Sequence, residues 1–514
     1  MSPHAPGPVG PRIFLSVLNV IFAVALAPLV LYSIVSIFYR QPLNYNEGWN
    51  VYFVSKLLAG QSLYVPLDRF PLTPLNYPPL SYFIIGALSA VTGDILLTGR
   101  IVTLLSSVLV AAAIYGIVAN ATGKTAARLF ASLFWICLMV RFAPARIVMY
   151  DPQILAHAFS TGALWLYSRW RGEFTPSRAW LLAVLCCIGI FIKHLVVAVP
   201  AALAVALFLE NREAFRRFAI GGIVISAVFA AGWLTYGGSN VLPNFMDTGR
   251  PVQNARLLFR LAQMFARGLL IVVFAPFVWL LAKFGRQWTV YLVYFSVSFA
   301  IGAYTSRGVG VDTNAWFDFF IAGSILFGLA AARLPLWNAE GGWRAPIAYA
   351  VVLSSLLPLP SGLPSALQRS LDYGRLPRAQ EIYRRDVALL RSIPGPALFE
   401  SLLLGHDAGK EVRVDPINSA QMIAMGRIRE SLLTDAIKGR QFGAIVLDAD
   451  LDDALCGARY LFFTTLTRWT PGTLAAVAEN YRRLQTERSP RFFYVPRPAG
   501  DYGDGACRAP AHGS

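Results

Sequence analysis

About eleven apolar runs follow one another through the first 360 residues and limit this chain to a helical membrane fold. Backbone polar groups in lipid must be satisfied within the segment, which makes each run a helix. The run over 179–209 is too short for two comfortable spans and too long for one, so we expect a kinked pair of helices with its break near Lys193 and His194. The shorter run 77–93 predicts an interfacial or re-entrant helix. The predicted spans are 13–38, 95–119, 126–142, 152–168, 179–192, 195–209, 217–236, 261–282, 288–303, 316–332 and 345–360.

Composition and charge agree with this class. Hydrophobic residues make up 56% of the 514 residues and charged residues 14%, against roughly 25% charged in soluble domains. The net charge is +17, and +14 of it lies in residues 1–364, where 25 Lys and Arg face 11 Asp and Glu. These cations lie on loops between apolar helices. Anionic lipid headgroups and lipid phosphates are therefore the expected partners, and nucleic acid is not.

The pattern changes after residue 364. Short β-like runs at 396–400, 410–414, 443–450 and 491–496 alternate with helical patterns at 379–392, 419–438 and 472–481. Strands interleaved with helices predict a small α/β domain. The sequence therefore divides into a transmembrane core over 1–364 and an α/β domain over 365–514, which we call the tail.

If the N-terminus is cytoplasmic, the loops on the cytoplasmic side are short and have the higher density of basic residues, as the positive-inside rule expects. An odd number of spans then places the tail outside an inner (plasma) membrane. Cys456 and Cys507 could form a disulfide there.

Two carboxylates mark the predicted outer face. Glu47 lies in NYNEGWNVY (44–52) between Tyr45 and Trp49, so it is either an active-site group or part of an interfacial aromatic belt. Asp151 precedes Pro152 where a span should begin. It can cap that helix, serve a site, or do both.

Cations lie near the same face. Lys193 and His194 interrupt an apolar run (191–200), and Arg307 lies in a Gly-rich break (304–318) that also holds Asn314. Arg100, Arg141 and Arg146 fall close to the same surface. Convergent cations suit a lipid phosphate or pyrophosphate, while ordinary interfacial basic residues are the alternative. No phosphate-binding Gly-rich loop, zinc motif or serine-hydrolase elbow is present.

The order of these motifs resembles the GT-C superfamily of polyprenyl-phosphate-dependent glycosyltransferases, which includes protein O-mannosyltransferases and aminoarabinose transferases. The motifs are NEGWN (46–50), NYPPLSYF (76–83), GR (99–100), MYDPQILAHAFS (149–160), IKHLVVAVP (192–200) and DTNAWFDFF (312–320). The family usually begins its first motif with an acidic residue, whereas this chain has Asn46. That departure leaves Glu47 as the carboxylate of the motif.

The resemblance implies a membrane glycosyltransferase, hexosyl or pentosyl, that moves a sugar from a polyprenyl-phosphate carrier to an acceptor hydroxyl with inversion. Glu47 would be the general base and Lys193 would bind the lipid phosphate. Asp151 would orient the acceptor or bind a divalent cation, Mg²⁺ or Mn²⁺, which some members use. The remaining residues assigned to substrate binding are His194, Tyr77, Asn314, Arg100 and Arg307. Arg307 is assigned from its position in the Gly-rich break and not from a family motif.

Two other classes stay open at this point. A lipid-sugar transporter or flippase would also need charges within the membrane, but would usually show inverted repeats. A non-catalytic membrane scaffold predicts that loss of Glu47 has no effect on turnover.

Overall fold

The structure is a computed structural model that describes residues 9–246, 250–282, 285–335, 344–359, 363–451, 468–486 and 489–498. Cys456 and Cys507 lie outside the described residues. The helices before the tail are α1 Val9–Ser36, α2 Tyr45–Leu58, α3 Leu80–Thr92, α4 Ile95–Thr122, α5 Thr125–Phe142, α6 Pro152–Trp170, α7 Pro176–Ile192, α8 Ala198–Glu210, α9 Arg212–Gly237, α10 Val241–Met246, α11 Asn254–Ala266, α12 Leu269–Leu281, α13 Thr289–Thr305, α14 Phe317–Ala331 and α15 Arg344–Leu353.

The fold is that of a helical membrane protein with a small C-terminal sheet. By length and composition, five stretches of the described chain can cross a bilayer, and shorter apolar helices accompany them. The five are Gly10–Ser36, Ile95–Thr122, Thr125–Phe142, Arg212–Met246 and Thr313–Ala331. The last is 89% buried over its most apolar window, which places α14 at the centre of the bundle. The fourth is 11% buried, so α9 lies at the periphery.

The helix boundaries follow from local chemistry. Asp94, Asp151 and Asn211 each accept a hydrogen bond from a backbone N–H in the first turn of the helix that follows, as good N-cap residues do. The predicted break at Lys193 is confirmed, since five residues separate the end of α7 at Ile192 from the start of α8 at Ala198.

The prediction of one span over 261–282 is wrong. Gly268 has a φ of +72° and separates α11 from α12. Glycine adopts this left-handed conformation readily, whereas other residues do so at a steric cost. The break turns α11 into a separate amphipathic helix whose Arg256 and Arg260 line a large cavity.

The tail contains six described helices and a four-stranded sheet. They are α16 Leu363–Leu371, α17 Arg375–Ser392, α18 Leu402–Asp407, α19 Pro416–Ala424, α20 Ser431–Lys438 and α21 Pro471–Asn480, with β1 Ala397–Phe399, β2 Ala444–Leu447, β3 Tyr481–Leu484 and β4 Phe492–Pro496. The strand order is β1-β2-β4-β3, with β1 parallel to β2 and the other pairs antiparallel. The predicted α/β character is confirmed.

Two details of the predicted tail need correction. The run 410–414 does not join the sheet, because Val414 pairs as an isolated bridge with Leu72 in the loop after α2. The helical pattern over 419–438 forms two helices, since Gly426 has a φ of +69° between α19 and α20.

The tail packs directly on α2. A Cβ atom on Gly48 would lie 2.2 Å from the backbone nitrogen of Leu403, so only glycine allows α2 and α18 to approach this closely. Tyr45 and Trp49 donate hydrogen bonds of 2.6 Å to the two carboxylate oxygens of Asp415. Burial raises the pKa of the Asp415 carboxyl. These contacts hold the tail against α2.

Candidate active site

A cavity of about 590 Å³ lies where the membrane helices, the loop over 304–318 and the tail meet. Charged side chains of both signs line it, together with asparagine, glutamine and aromatic residues. Its charged and histidine side chains are Arg146, Asp151, Lys193, His194, Arg250, Arg256, Arg260, Asp312, Asp318, Glu400, Asp448 and Arg468. Its size falls within the usual range for small-molecule sites.

The predicted motif NYNEGWNVY forms the start of α2, so its side chains turn by about 100° per residue. They consequently contact different parts of the molecule. Tyr45, Asn46, Trp49 and Asn50 line the cavity, whereas Glu47 is fully buried and does not.

Glu47 is instead paired with Arg100 of α4. One carboxylate oxygen accepts hydrogen bonds from Arg100 Nε (2.7 Å) and the Tyr150 N–H (3.0 Å). The other accepts from Arg100 Nη2 (2.7 Å) and the Leu43 N–H (2.7 Å). All four lone-pair positions of the carboxylate are therefore used.

Arg100 joins this pair to the end of α1. Its Nη1 donates to the carbonyl oxygens of Ser36, Ile37 and Tyr39, and its Nη2 donates to that of Gln41. The structure thus places Arg100, one of the predicted substrate-binding residues, outside the cavity lining.

Asp151 lines the cavity and caps α6. Oδ1 accepts a 2.8 Å hydrogen bond from the Gln153 N–H, while Oδ2 accepts from Arg146 and, at 3.2 Å, from Asn46 Nδ2. Three of its lone-pair positions are used, which leaves one on Oδ1. Arg146 also pairs with Asp312 at 2.9 Å.

Lys193 follows the last residue of α7 and is 2% exposed. Its Nζ lies 3.5 Å from the centre of the Tyr77 ring, a cation–π contact. Within the described part of the chain, it forms no ion pair with a carboxylate. The predicted residues Lys193, His194, Tyr77 and Asn314 all line the cavity.

Arg307 is the remaining predicted binding residue, and it does not line the cavity. Its guanidinium lies over the Tyr304 ring, 4.4 Å from the ring centre. Its backbone carbonyl accepts from the Gln253 N–H at 2.9 Å. It thereby helps to fix the strand-like segment that leads into α11 and carries Arg250.

The tail supplies cavity residues that the sequence interpretation missed. Glu400 and Asp448 directly follow the parallel strands β1 and β2, and Arg468 forms ion pairs with both. Burial raises the pKa of the Glu400 carboxyl. The available signal was that the carboxyl ends of adjacent parallel strands commonly bind ligands.

Comparisons with known proteins agree with this architecture. Residues 76–236 match the family model described as dolichyl-phosphate-mannose-protein mannosyltransferase. Two crystal structures of ArnT from Cupriavidus metallidurans, in the apo state and bound to undecaprenyl phosphate, superpose with TM-scores of 0.57 and 0.56 at 14% identity. They cover 93% and 92% of this chain and 98% and 97% of ArnT. No curated protein matches the chain in sequence. The resemblance to the GT-C superfamily is confirmed.

The first motif has a specific geometry in this chain. The position where the family usually has an acidic residue is Asn46, which lies at the cavity beside Asp151. The second position, Glu47, anchors α1, α2 and α4 through Arg100. Asp151, which accepts a hydrogen bond from Asn46, is an acidic residue at the cavity beside this motif.

The predicted divalent cation does not fit these residues. Asp151 and Asp312 both bind Arg146, so its guanidinium occupies the place of an ion bridging the two carboxylates. In the described parts of the chain, no group of three or more His, Cys, Asp or Glu residues could hold a metal ion.

Proposed function

We propose that this protein transfers a sugar from a polyprenyl-phosphate carrier to an acceptor hydroxyl at the outer face of the inner membrane. The observation that carries this proposal is Lys193, a buried ammonium without a carboxylate partner among the described residues, in a cavity bordered by membrane helices. A buried charge is costly unless a counter-ion compensates it. A lipid phosphate would supply that counter-ion.

Further cations support an anionic ligand. Arg250, Arg256 and Arg260 line the same cavity and form no ion pair within the described residues. Arg256 and Arg260 are four residues apart on α11, so they lie on one face of that helix. Together with Lys193, they can compensate the charge on a phosphate as it leaves the sugar. ArnT was crystallised with undecaprenyl phosphate, which is a ligand of this class.

We assign the general base to Asp151, and Glu47 becomes the alternative. Asp151 has a free lone-pair position at the cavity wall, whereas all four positions on Glu47 are used by protein donors. The acceptor oxygen attacks the anomeric carbon while the bond from that carbon to the phosphate oxygen breaks. The carrier phosphate leaves with the bonding electrons, and Asp151 receives the acceptor proton. One displacement inverts the configuration.

The tail takes part in this proposal as an extracytoplasmic domain over residues 365–514. Glu400 and Asp448 line the same cavity as Lys193, so the tail lies on the side of the membrane where transfer occurs. In sealed vesicles containing the purified protein, the product should form on the face where added protease cuts the tail.

The test is binding and turnover with the purified full-length protein. Replacing Lys193 with Met should weaken binding of undecaprenyl phosphate about 10- to 100-fold, because a charge-assisted hydrogen bond to the phosphate is lost. Lys56→Met is the matched control, since Lys56 is also buried but does not line the cavity. Equal binding by the Lys193 variant and wild type would contradict the phosphate role. Bound carrier lipid with no sugar transfer to any acceptor would favour the flippase.

A further inference from the structure

Two residues that line the cavity each have a buried side-chain oxygen with no hydrogen-bond partner among the described residues. The two oxygens are Asn50 Oδ1 and Gln153 Oε1. Asn50 is 1% exposed and Gln153 is 4% exposed, and both residues line the cavity. A buried acceptor without a donor keeps its full desolvation cost, so such groups usually have a partner in the working protein.

The orientation of the Asn50 amide is fixed by its neighbours. Its Nδ2 donates to the carbonyl oxygens of Asn46 at 2.9 Å and Tyr150 at 3.0 Å. Turning the amide over would bring Oδ1 against these two oxygens, which cannot donate. The nitrogen therefore faces the backbone, and the oxygen is the atom left without a partner.

A chain of contacts fixes the Gln153 amide in the same way. Tyr294 donates to Asp318 Oδ1 at 2.7 Å, and His157 Nδ1 lies 3.4 Å from that oxygen. The tautomer with the proton on Nδ1 directs that N–H towards the carboxylate. His157 Nε2 is then an acceptor, and Gln153 Nε2 donates to it at 3.0 Å. Gln153 Oε1 remains as the unpartnered atom.

We propose that Asn50 and Gln153 form a subsite for the hydroxyl groups of the carried sugar. This inference rests on the proposed transferase function. Amide oxygens accept hydrogen bonds and sugar hydroxyls donate them, whereas a phosphate dianion has no proton to give.

The subsite lies beside the reacting groups. Asn50 is one helical turn from Asn46, which donates to Asp151, and Gln153 donates its N–H to Asp151. A sugar held by the two amide oxygens is therefore close to the proposed base. The phosphate end of the donor is bound separately by Lys193. Both amides act in binding and positioning and take no proton during transfer.

The test separates recognition of the sugar from recognition of the carrier. Wild type and Gln153→Met are compared for binding of undecaprenyl phosphate and of a panel of undecaprenyl-phosphate hexoses and pentoses. The wild type should prefer one sugar-bearing lipid over the bare carrier. Gln153→Met should lose about tenfold in affinity for that lipid, the effect of about one hydrogen bond, and should keep its affinity for the bare carrier.

Retained binding of the bare carrier also reports that the variant is folded. Gln421→Met is the matched control, because Gln421 is buried but does not line the cavity. Asn50→Leu should give the same selective loss. An unchanged preference in Gln153→Met, as expected if the amide binds only a water molecule, overturns the subsite. An equal loss for both lipids also overturns it. If the wild type binds neither lipid, the transferase proposal itself fails.

Discussion

Two arginine–carboxylate pairs in this molecule have the same chemistry and different surroundings. Glu47 and Arg100 are fully enclosed, and every lone-pair position of the carboxylate has a protein donor. Asp151 and Arg146 border the cavity, and the carboxylate keeps one free position. The pairs are adjacent, because Tyr150 donates its N–H to Glu47 and precedes Asp151. The first pair joins helices, while the second can meet a substrate.

The difference shows that closeness in sequence to a cavity residue does not by itself give a carboxylate a catalytic role. A general base needs a lone pair within reach of the acceptor proton. Glu47 lacks one, although it lies next to a cavity residue in sequence. Gly99 also supports the enclosed pair. A Cβ atom there would lie 2.2 Å from Cγ of Tyr150, so glycine leaves room for the residue whose N–H binds Glu47.

The largest expected effect on stability comes from breaking the enclosed pair. Arg100→Met leaves the Glu47 carboxylate buried without a counter-ion, which should lower the free energy of unfolding by about 3–5 kcal/mol. Arg178→Met removes one partner of a partly exposed pair, Arg178 and Glu173, and should cost at most about 1 kcal/mol. Thermal unfolding of the purified proteins measures both changes. Equal stability of the two variants would contradict an anchoring role for Arg100.

A smaller effect is expected at a third pair, which links the tail to the segment that follows α1. Arg40 donates two hydrogen bonds to Asp407. Burial alone would raise the pKa of Asp407, but hydrogen bonds from His406, Arg40 and Tyr383 outweigh it and lower the pKa to about 2. The lowered pKa corresponds to about 2 kcal/mol of stability for the ionised carboxylate.

This contribution should be present at neutral pH and disappear in acid. Because the folded-state pKa lies below the ordinary value of 3.8, the stabilisation is complete above about pH 4 and is lost as the pH falls towards about 2. The unfolding free energies of wild type and Asp407→Asn should therefore converge over that range. A constant difference from pH 7 to pH 2 would show that the Asp407 charge contributes nothing.

Much of the membrane part could be predicted because its signals are local. Apolar runs mark the helices, and Asp94 and Asp151 mark two of their starts. The interruption at Lys193 is also visible in the chain as a charge between apolar segments. Gly268 shows the limit of this approach, because the apolar pattern continues on both sides of a residue that ends a helix.

The roles within the first motif could not be predicted in the same way. Asn46 and Glu47 are neighbours in sequence but differ by about 100° around α2, so one lies at the cavity and the other does not. Which one faces the cavity depends on Arg100 and Tyr150, 53 and 103 residues away from Glu47. Glu400 reaches the cavity only because the tail folds back on α2.

The most direct test of the account compares turnover of Asp151→Asn and Glu47→Gln with the sugar-bearing lipid that the wild type uses. Asparagine is a good N-cap, so the first variant should stay folded and bind the donor. Its turnover should fall about 10²- to 10⁴-fold, the usual contribution of a general base. The Glu47 variant should be less stable, but its remaining folded fraction should turn over within about tenfold of wild type. Normal turnover by Asp151→Asn, with a folded Glu47→Gln protein that binds donor and is inactive, would contradict the assignment.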